Sequence, residues 1–240
     1  MPKLEISKVH DAYREAGECP LCTLAEWAEE TYLRSFEHSR VMEPSVRVQT
    51  NRSGFCAPHY RKLYQRENKL GLGLMVHTHL RENLPSLRAA LDAIRTGTAA
   101  GRKGSRGVAQ AAASLAALHE RCFICDLLSQ DMDRYAFTIL YLWRRDAEFP
   151  AAFRASRGFC LPHFLLVLEQ GRIVLRADRL ARWLDDCVPL MAASLDALER
   201  DLLSFTQLYH DSNRGLGSAA ERTALSRTLQ KLAGGRFHLE

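Results

Sequence analysis

One cysteine–histidine pattern occurs twice in this chain of 240 residues and constrains its fold more than any other feature. The pattern is Cys-x-x-Cys followed by Gly-Phe-Cys-x-Pro-His. The first copy spans residues 19–59, with 33 residues between Cys22 and Cys56, and the second spans residues 122–163, with 34 residues between Cys125 and Cys160. A repeat of this kind sets the architecture, so we predict two pseudo-equivalent halves.

The residue types in the pattern are those that bind zinc. Thiolate sulfur and imidazole nitrogen are the donors of tetrahedral structural zinc sites. Each copy supplies three cysteines and one histidine, so we predict a Cys₃His site within each copy and two zinc ions per chain. Protein atoms would fill all four positions and leave none for a catalytic water, which favours a structural role. The predicted ligands are Cys19, Cys22, Cys56 and His59 in the first copy, and Cys122, Cys125, Cys160 and His163 in the second.

Other chemistries remain open for these cysteines. An iron–sulfur cluster with the same ligands is the alternative cofactor, and unligated buried cysteines are another interpretation. A thioredoxin-like redox pair at residues 19–22 lacks the β-α-β surroundings of that motif and leaves the two histidines unexplained. His119 could compete as a ligand, although its counterpart in the first copy is Ala16. Cys187 lies in the apolar register of a predicted helix, so we expect it to be a buried, inert thiol.

Cysteine usage, charge and hydropathy limit the class of protein. An odd number of cysteines without an export signal argues against a disulfide scaffold. Residues 1–6 contain no hydrophobic signal region, and no apolar run approaches the ~20 residues that cross a bilayer. We therefore expect a soluble, cytoplasmic protein with no membrane span. The formal charge of +5 becomes about +3 with two zinc ions and six thiolates, too little to favour a nucleic-acid partner.

Most of the remaining sequence has the spacing of amphipathic helices, so we predict an all-α fold. A helix should follow Cys22, capped by Thr23-x-x-Glu26, and Asp126 should cap its counterpart. The longest helix should run from Arg172 to about Tyr209. Its predicted apolar stripe comprises Ile173, Ala177, Leu180, Leu184, Cys187, Met191, Leu195, Leu198 and Leu202. The corresponding stripe of the first copy comprises Leu80, Leu84, Leu87, Leu91 and Ile94.

The pattern also suggests how the chain is divided. We predict a first metal-binding repeat over residues 1–95 and a second over residues 109–210. The glycine-rich segment 96–108 between them should be a flexible linker. Residues 211–240 should form a C-terminal loop and a helix that begins at Ser218-x-x-Glu221. Because the two apolar stripes need covering, we expect the repeats to pack together as one body.

The function classes that remain are few. The chain lacks a phosphate-binding loop, a nucleophile elbow and a dinucleotide fingerprint, which favours a non-enzymatic adaptor or regulator that contacts a protein partner. A thiol/zinc redox sensor or metal-handling protein is the alternative. A third possibility is an enzyme with a pocket between the repeats that uses His77 and the acidic residues Glu26, Glu29 and Glu30. Otherwise we expect His77 to be a core histidine and His79 to be exposed.

The two copies, with the segments Phe205–Asp211 and Lys231–Gly234, resemble a bacterial family of unknown function. Its members are duplicated, cysteine-rich helical proteins of about this length. Some of them carry the label of substrate-binding proteins of ABC transporters, which we do not expect to apply here because we find no segment for export or anchoring. The resemblance covers most of the chain and supports the ligand assignment, but it implies no established activity.

Overall fold

The computed structural model describes residues 4–15, 17–38, 40–99, 104–208 and 217–236, apart from the side chains of Ala99 and His119. Within these ranges the chain forms twelve α-helices, one 3₁₀ turn at Arg40–Met42 and no strand, which confirms the all-α prediction. None of the described helices has the length and apolar character needed to cross a bilayer. The helices are α1 (Ile6–Arg14), α2 (Pro20–Glu37), α3 (Pro44–Ser53), α4 (Ala57–Gln65), α5 (Lys69–Ala99), α6 (Ser105–His119), α7 (Phe123–Arg145), α8 (Phe149–Ala155), α9 (Leu161–Val174), α10 (Ala177–Gln207), α11 (Ala219–Arg222) and α12 (Ala224–Ala233).

Contacts between residues group the chain into two units that do not follow sequence order. Unit 1 comprises Met1–Ala28 and Gln130–Glu240, and unit 2 comprises Glu29–Ser129. Helix α2 therefore begins in unit 1 and ends in unit 2, whereas α7 begins in unit 2 and ends in unit 1. Each unit thus contains segments of both repeats.

The core of unit 2 surrounds Phe36, near the end of α2. Its ring lies edge-on to Phe55, with 5.4 Å between centroids, and to Phe123, at 6.3 Å. Helix α3 packs on α5, and α5 packs on α6. The buried members of this core are Leu33, Phe36, Val41, Val46, Phe55, Leu63, Met75, Cys122 and Ile124.

The core of unit 1 contains larger aromatic side chains. Trp183 of α10 is fully buried and stacks on Phe164 of α9, with 6.3 Å between centroids. Phe149 and Phe153 of α8 are also fully buried and contact Tyr13 of α1. Burying a side chain of this size stabilises the fold by ~1.5–3 kcal/mol, so these contacts fix α10 against α9 and α8 against α1.

The long C-terminal helix starts later than we predicted. Helix α9 continues to Val174, and Leu175 and Arg176 are extended, with ψ of 145° and 154°, before α10 begins at Ala177. The predicted residue Ile173 consequently belongs to α9 and is 70% exposed. Of the predicted stripe on α10, Cys187, Met191 and Leu198 are buried. Tyr209 lies outside the described residues.

The buried side of α5 also differs from the predicted stripe. Leu80 and Leu91 are 50% and 59% exposed, whereas His79 and Asn83 are half-buried. His79 Nδ1 lies 2.8 Å from the carbonyl oxygen of Asn51 on α3, and the Asn83 amide donates to the same oxygen at 2.9 Å. Our expectations for the two histidines were therefore wrong, because His77 is exposed and His79 is the one in contact. Leu84, Leu87 and Ile94 of the predicted stripe are half-buried, so apolar periodicity identified only part of the packed side, which also carries polar residues.

Much of the predicted linker 96–108 lies in helices. Helix α5 continues to Ala99, α6 begins at Ser105, and the predicted linker residues 100–103 lie outside the described residues. The two glycines at this corner permit a close approach, because a methyl group on Gly104 would meet the carbonyl oxygen of Gly97 at 2.0 Å. Glycine here therefore allows tight packing of α5 on α6.

Candidate metal centres

The eight predicted ligands form two clusters of three cysteines and one histidine, in each of which the ligand atoms lie within 4.8 Å of one another. Site A, within unit 1, comprises Cys19, Cys22, Cys160 and His163. Site B, within unit 2, comprises Cys56, His59, Cys122 and Cys125. Each site thus joins the Cys-x-x-Cys pair of one repeat to the Cys-x-Pro-His pair of the other. This corrects our expectation that each repeat would complete its own site.

The course of α2 explains why the ligands cross. Its first turn, which holds Cys22, belongs to unit 1, whereas its later turns belong to unit 2. The segment that returns towards Cys56 packs on the later turns, where Phe36 contacts Phe55 and Glu30 pairs with Arg66. The Cys-x-Pro-His of the same repeat therefore does not come back to the first turn. The Cys-x-x-Cys of the second repeat meets it instead, and the Phe123 amide donates to the Gly54 carbonyl oxygen at 3.0 Å.

All four ligand pairs occupy the same position on a helix. The first cysteine of each pair immediately precedes the helix, and the second ligand is the third helical residue. Cys19 precedes α2, Cys56 precedes α4, Cys122 precedes α7 and Cys160 precedes α9. The prediction that Cys56 and Cys160 lie just outside a helix is confirmed. The prediction of a capping box at Thr23 is wrong, because α2 already begins at Pro20.

This placement favours thiolates at both sites. Each site receives two helix N-termini, whose unpaired N–H groups and partial positive charge stabilise nearby anions. At site B the amide of Cys125 donates to Cys122 Sγ at 3.5 Å. The thiolate therefore replaces a side-chain oxygen as the helix cap.

A glycine with positive φ precedes each Phe-Cys-x-Pro-His segment. Gly54 has φ 60° and ψ −151°, and Gly158 has φ 72°. A methyl group would also meet His79 Nε2 at 2.7 Å in the first case and Met191 Sδ at 2.8 Å in the second. Glycine is required at both positions because other residues rarely adopt this backbone conformation. The turn directs Phe55 and Phe159 into the cores and leaves the following cysteine at the helix start.

The distances between donors match a tetrahedron around one ion. With zinc–sulfur bonds of about 2.3 Å, two sulfur atoms lie about 3.8 Å apart, and sulfur and nitrogen about 3.5 Å apart. Cys22 Sγ and Cys160 Sγ are 3.6 Å apart in site A, and Cys56 Sγ and Cys125 Sγ are 3.8 Å apart in site B. Sulfur-to-Nδ1 distances run from 3.1 to 3.5 Å in site A and from 3.1 to 3.4 Å in site B. In both sites the histidine presents Nδ1.

Site A is covered on its sulfur side. Cys19 and Cys160 are fully buried and Cys22 is 2% exposed, whereas His163 is half-buried. The end of α12 contributes to this cover, because a methyl group on Gly234 would lie 3.6 Å from Cys160 Sγ. Solvent therefore approaches site A from the imidazole.

A fully buried lysine of α12 lies beside site A. Lys231 Nζ donates to the carbonyl oxygens of Glu18 at 3.0 Å and Arg157 at 2.6 Å, and it lies 3.5 Å from Glu18 Oε2. Burial lowers the pKa of Lys231, and Glu18 and the nearby thiols Cys19 and Cys160 oppose this shift. A divalent ion held there by three thiolates and one neutral imidazole would carry a net charge of −1, which the ammonium group would compensate.

The carboxylate of Glu18 connects Lys231 to a wider network. Glu18 is 1% exposed and pairs with Arg157 at 2.5 Å and with Arg227 at 2.7 Å. Arg227 also pairs with Asp201 of α10 at 2.9 Å. Burial alone would raise the pKa of Glu18, but these cations hold it below its ordinary value. Helices α10 and α12 are thereby tied to the residue that precedes Cys19.

Site B is open on its sulfur side. Cys125 is exposed and Cys56 is half-buried, whereas His59 is 4% exposed. His59 Nε2 lies 3.0 Å from Glu29 Oε1, and Lys62 Nζ lies 2.6 Å from the other oxygen of Glu29. The hydrogen bond with His59, assisted by Lys62 and opposed by burial, lowers the pKa of Glu29 to about 2. The carboxylate stays ionised and directs Nδ1 of His59 to the cluster, as the outer partners of metal-binding histidines do.

The structure describes the side chain of Cys187 but not that of His119. Cys187 is fully buried, as we predicted, and burial raises the pKa of its thiol to about 12. The side chain of His119 lies outside the described residues.

The residues of the possible enzyme site have other contacts. His77 is exposed on α5. Glu26 pairs with Arg236 at 2.9 Å, Glu29 holds His59, and Glu30 pairs with Arg66. Each of these carboxylates is therefore neutralised by a basic partner.

The sequence patterns did not reveal the residues around the two sites. Lys231 and Glu18 resemble ordinary surface charges in an amphipathic pattern, and no local signal separates them from exposed ones. Glu29 stands out in the sequence only as an acidic residue. Its distance of 30 positions from His59 has no motif spacing, and its aligned position in the second copy is Met132.

Comparison with known protein families gives a match over nearly the whole chain. The profile of a family described as "Family of unknown function (DUF6062)" matches residues 2–238, and the chain belongs to this family. Searches of curated proteins and of solved structures found no significant match. Like the family that the duplicated motif resembles, this family has no known function. A functional assignment therefore has to rest on the two sites.

Proposed function

We propose that this protein binds two zinc ions, one in site A and one in site B, and that both ions are structural. The observation that carries this proposal is the pair of Cys₃His clusters with the donor separations of a single tetrahedral ion. Four protein donors complete each coordination shell, so no position is open for water or substrate.

The distances favour one ion over a cluster. An iron–sulfur cluster places several iron and sulfide atoms between its ligands and would hold the protein donors further apart than 4.8 Å. A single zinc ion suits sulfur and imidazole donors and needs no redox partner. We place the protein in the cytoplasm, where reducing conditions keep thiols free for metal binding.

The crossing of the repeats gives the proposal a sharp test. In the double variant Cys22→Ser/Cys160→Ser both changes fall in site A, so the protein should lose one zinc ion and keep the other. In Cys22→Ser/Cys56→Ser the changes fall in different sites, so both ions should be lost. Elemental analysis of protein purified without added metal measures the content. If the ligands pair within each repeat, the first variant should lose both ions and the second only one. Brown protein that absorbs near 400 nm would show that the sites hold iron–sulfur clusters and not zinc.

A cut in the chain tests the same arrangement without altering a ligand. A protease site inserted between Arg102 and Lys103 yields one fragment with Cys19, Cys22, Cys56 and His59, and one with the other four ligands. Each ion then holds two ligands from each fragment, so the fragments should elute together on a sizing column. Removal of zinc by a chelator in mild denaturant should separate them. Fragments that separate while each retains one zinc ion would contradict the crossed sites.

We further propose that the protein acts as an adaptor or regulator through contacts with another protein. Support comes from the outward side of α5, where Val76, Leu80 and Leu91 are 38%, 50% and 59% exposed and Leu84 is half-buried between them. The steps of 4, 4 and 7 residues place these side chains on one helical face. Exposed apolar side chains grouped in this way are typical of interaction surfaces.

The double variant Leu80→Glu/Leu91→Glu tests this role. Both substitutions are on exposed positions, so zinc content and thermal stability should stay near the wild-type values. Cross-linking in cell extract should then lose one discrete adduct that the wild-type protein forms. An unchanged set of adducts would show that this face of α5 does not bind the partner protein. The matched control Arg81→Glu/Arg88→Glu changes charge on exposed positions of the same helix without removing apolar area.

A further inference from the structure

The two sites expose different donors to solvent. In site A the three sulfur atoms are buried and only the histidine is half-buried. In site B the histidine is buried, Cys125 is exposed and Cys56 is half-buried. Because Cys125 aligns with Cys22 and Cys56 aligns with Cys160, equivalent ligands of the two repeats differ in their access to small oxidants.

The two accessible sulfur atoms of site B are also neighbours. Cys56 Sγ and Cys125 Sγ are 3.8 Å apart, and they belong to the starts of different helices, α4 and α7. The remaining thiol, Cys122, is 2% exposed. A small oxidant that reaches Cys125 therefore meets a thiolate with a second thiolate beside it. Such a pair can resolve an oxidised sulfur as a disulfide.

We propose that Cys56 and Cys125 are a peroxide-sensitive pair whose oxidation releases the zinc ion of site B while site A retains its ion. The inference rests on the proposed zinc binding and adds a modification site to it. Thiolates are the nucleophiles that peroxides oxidise, and metal coordination keeps both sulfur atoms deprotonated. With two of its four ligands joined to each other, site B retains only His59 and Cys122.

The chemistry balances with a hydroperoxide as the oxidant. The Cys125 thiolate attacks one peroxide oxygen, the O–O bond breaks, and a sulfenic acid and a hydroxide form. The Cys56 thiolate then attacks the Cys125 sulfur, an S–S bond forms, and the second hydroxide leaves. The two thiolates lose two electrons and the peroxide gains two, and protons from solvent convert both hydroxides to water when the oxidant is hydrogen peroxide. A dithiol reductant reverses the step.

The first experiment treats the reduced, zinc-loaded full chain with hydrogen peroxide and counts released zinc with a chromogenic indicator. One ion should leave and the second should remain until the protein is unfolded. Differential alkylation with mass spectrometry should locate a disulfide between Cys56 and Cys125, and reductant with added zinc should restore two ions. Release of both ions at one rate, release from site A first, or a Cys122–Cys125 disulfide would each overturn the inference.

Matched histidine variants separate redox chemistry from simple loss of a ligand. Cys125→His keeps a zinc donor in site B but removes the attacking thiol, so peroxide should release zinc at least about tenfold more slowly. Cys187→Ser alters a buried cysteine outside both sites and should leave the release from site B unchanged. Where Cys125→His does not retain zinc, Cys56→His removes the resolving thiol and should prevent the disulfide. Equal release rates in a zinc-loaded histidine variant and in wild type would disprove the role of the pair.

The starting material keeps this inference separate from the proposed function. Reduced protein that holds fewer than two zinc ions contradicts the proposed function before any oxidant is added. Reduced protein that holds two ions, neither of which responds to peroxide, leaves zinc binding intact and removes only the redox pair.

Discussion

Sites A and B have the same four donors on the same helical positions, yet their surroundings differ. Site A has buried charged groups beside it, because Lys231 of α12 and the carboxylate of Glu18 form an ion pair next to the buried sulfur atoms. Site B lacks this cover over Cys125 but has a carboxylate, Glu29, behind its histidine. The comparison indicates that the duplicated motif brings the four donors together, and that residues outside the motif decide how far each cluster is enclosed.

The chain enclosed by each site contributes little to this difference. The contact between Cys22 and Cys160 spans 138 positions, and that between His59 and Cys122 spans 63. Loop-closure entropy grows by only ~0.6 kcal/mol for each doubling of length. The two sites therefore differ more in burial and neighbouring charge than in the length of chain that they enclose.

Removal of a ligand has the largest expected effect. Zinc contributes roughly 10–16 kcal/mol in small peptide sites, which equals or exceeds the ~5–15 kcal/mol stability of a typical domain. Cys160→Ser should therefore expose amides within residues 4–15 and 130–208, and Cys56→Ser should expose those within 29–99. Hydrogen exchange read by mass spectrometry locates the loss. Loss of protection in residues 4–15 after Cys56→Ser would instead indicate that the ligands pair within each repeat.

Cys187→Ser is the control for these ligand variants. It places a hydroxyl group in a fully buried position, at a cost of ~1–3 kcal/mol. Both zinc ions should remain, and protection should weaken only near α10. Loss of an ion from this variant would mean that our division of the seven cysteines is wrong.

Removal of the buried cation at site A should have the next largest effect. Lys231→Met keeps the length of the side chain but leaves the carbonyl oxygens of Glu18 and Arg157 without their donor and site A without its compensating charge. We expect a loss of about 3 kcal/mol in the free energy of unfolding and faster release of one zinc ion to a chelator. Lys62→Met is the control, because Lys62 is 46% exposed beside site B and should contribute less than about 1 kcal/mol. Equal losses in the two variants would remove the distinction between the sites.

The paired glycines give a smaller and more local comparison. Gly54→Ala should cost about 2 kcal/mol, because the positive φ is strained for alanine and the new methyl group meets His79, which Asn51 holds by a hydrogen bond. Gly158→Ala should cost nearer 1 kcal/mol, because its methyl group meets the flexible side chain of Met191. Chemical denaturation measures both values. A larger cost at Gly158 would show that Met191 cannot move.

The sequence allowed the all-helical fold and the eight clustered residues to be predicted, because metal ligands need particular atoms at particular local spacings. Cys-x-x-Cys and Cys-x-Pro-His each place two donor atoms at the start of one helix. Four consecutive residues are enough to define this arrangement, so it can be recognised from the sequence. The pairing of the four segments was not predictable in this way, since both pairings use the same eight residues and nearly equal spacings. It depends on α2 carrying the chain away from Cys22, which is a property of packing.

The polar part of the packed side of α5 and the role of Lys231 were missed for a related reason. Apolar periodicity assumes that the packed side of a helix is apolar, whereas α5 packs His79 and Asn83 against the backbone of Asn51. Lys231 lies 71 positions beyond Cys160 and contacts Glu18 from the other end of the chain. Only tertiary contacts distinguish such a lysine from an exposed one.

The carboxylate behind His59 provides the smallest test of the comparison. Glu29→Gln keeps a hydrogen-bond acceptor 3.0 Å from His59 Nε2 but removes the charge that orients and polarises the imidazole. Loss of such an outer partner reduces metal affinity by ~10–100-fold, and because glutamine still accepts the hydrogen bond we expect a reduction of about tenfold, or ~1.4 kcal/mol. Competition with a chelator should show this change for one ion of the two, since Met132 stands at the aligned position of the second copy and offers site A no carboxylate there. An equal shift for both ions, or none for either, would mean that Glu29 acts on the fold of unit 2 and not on the affinity of site B.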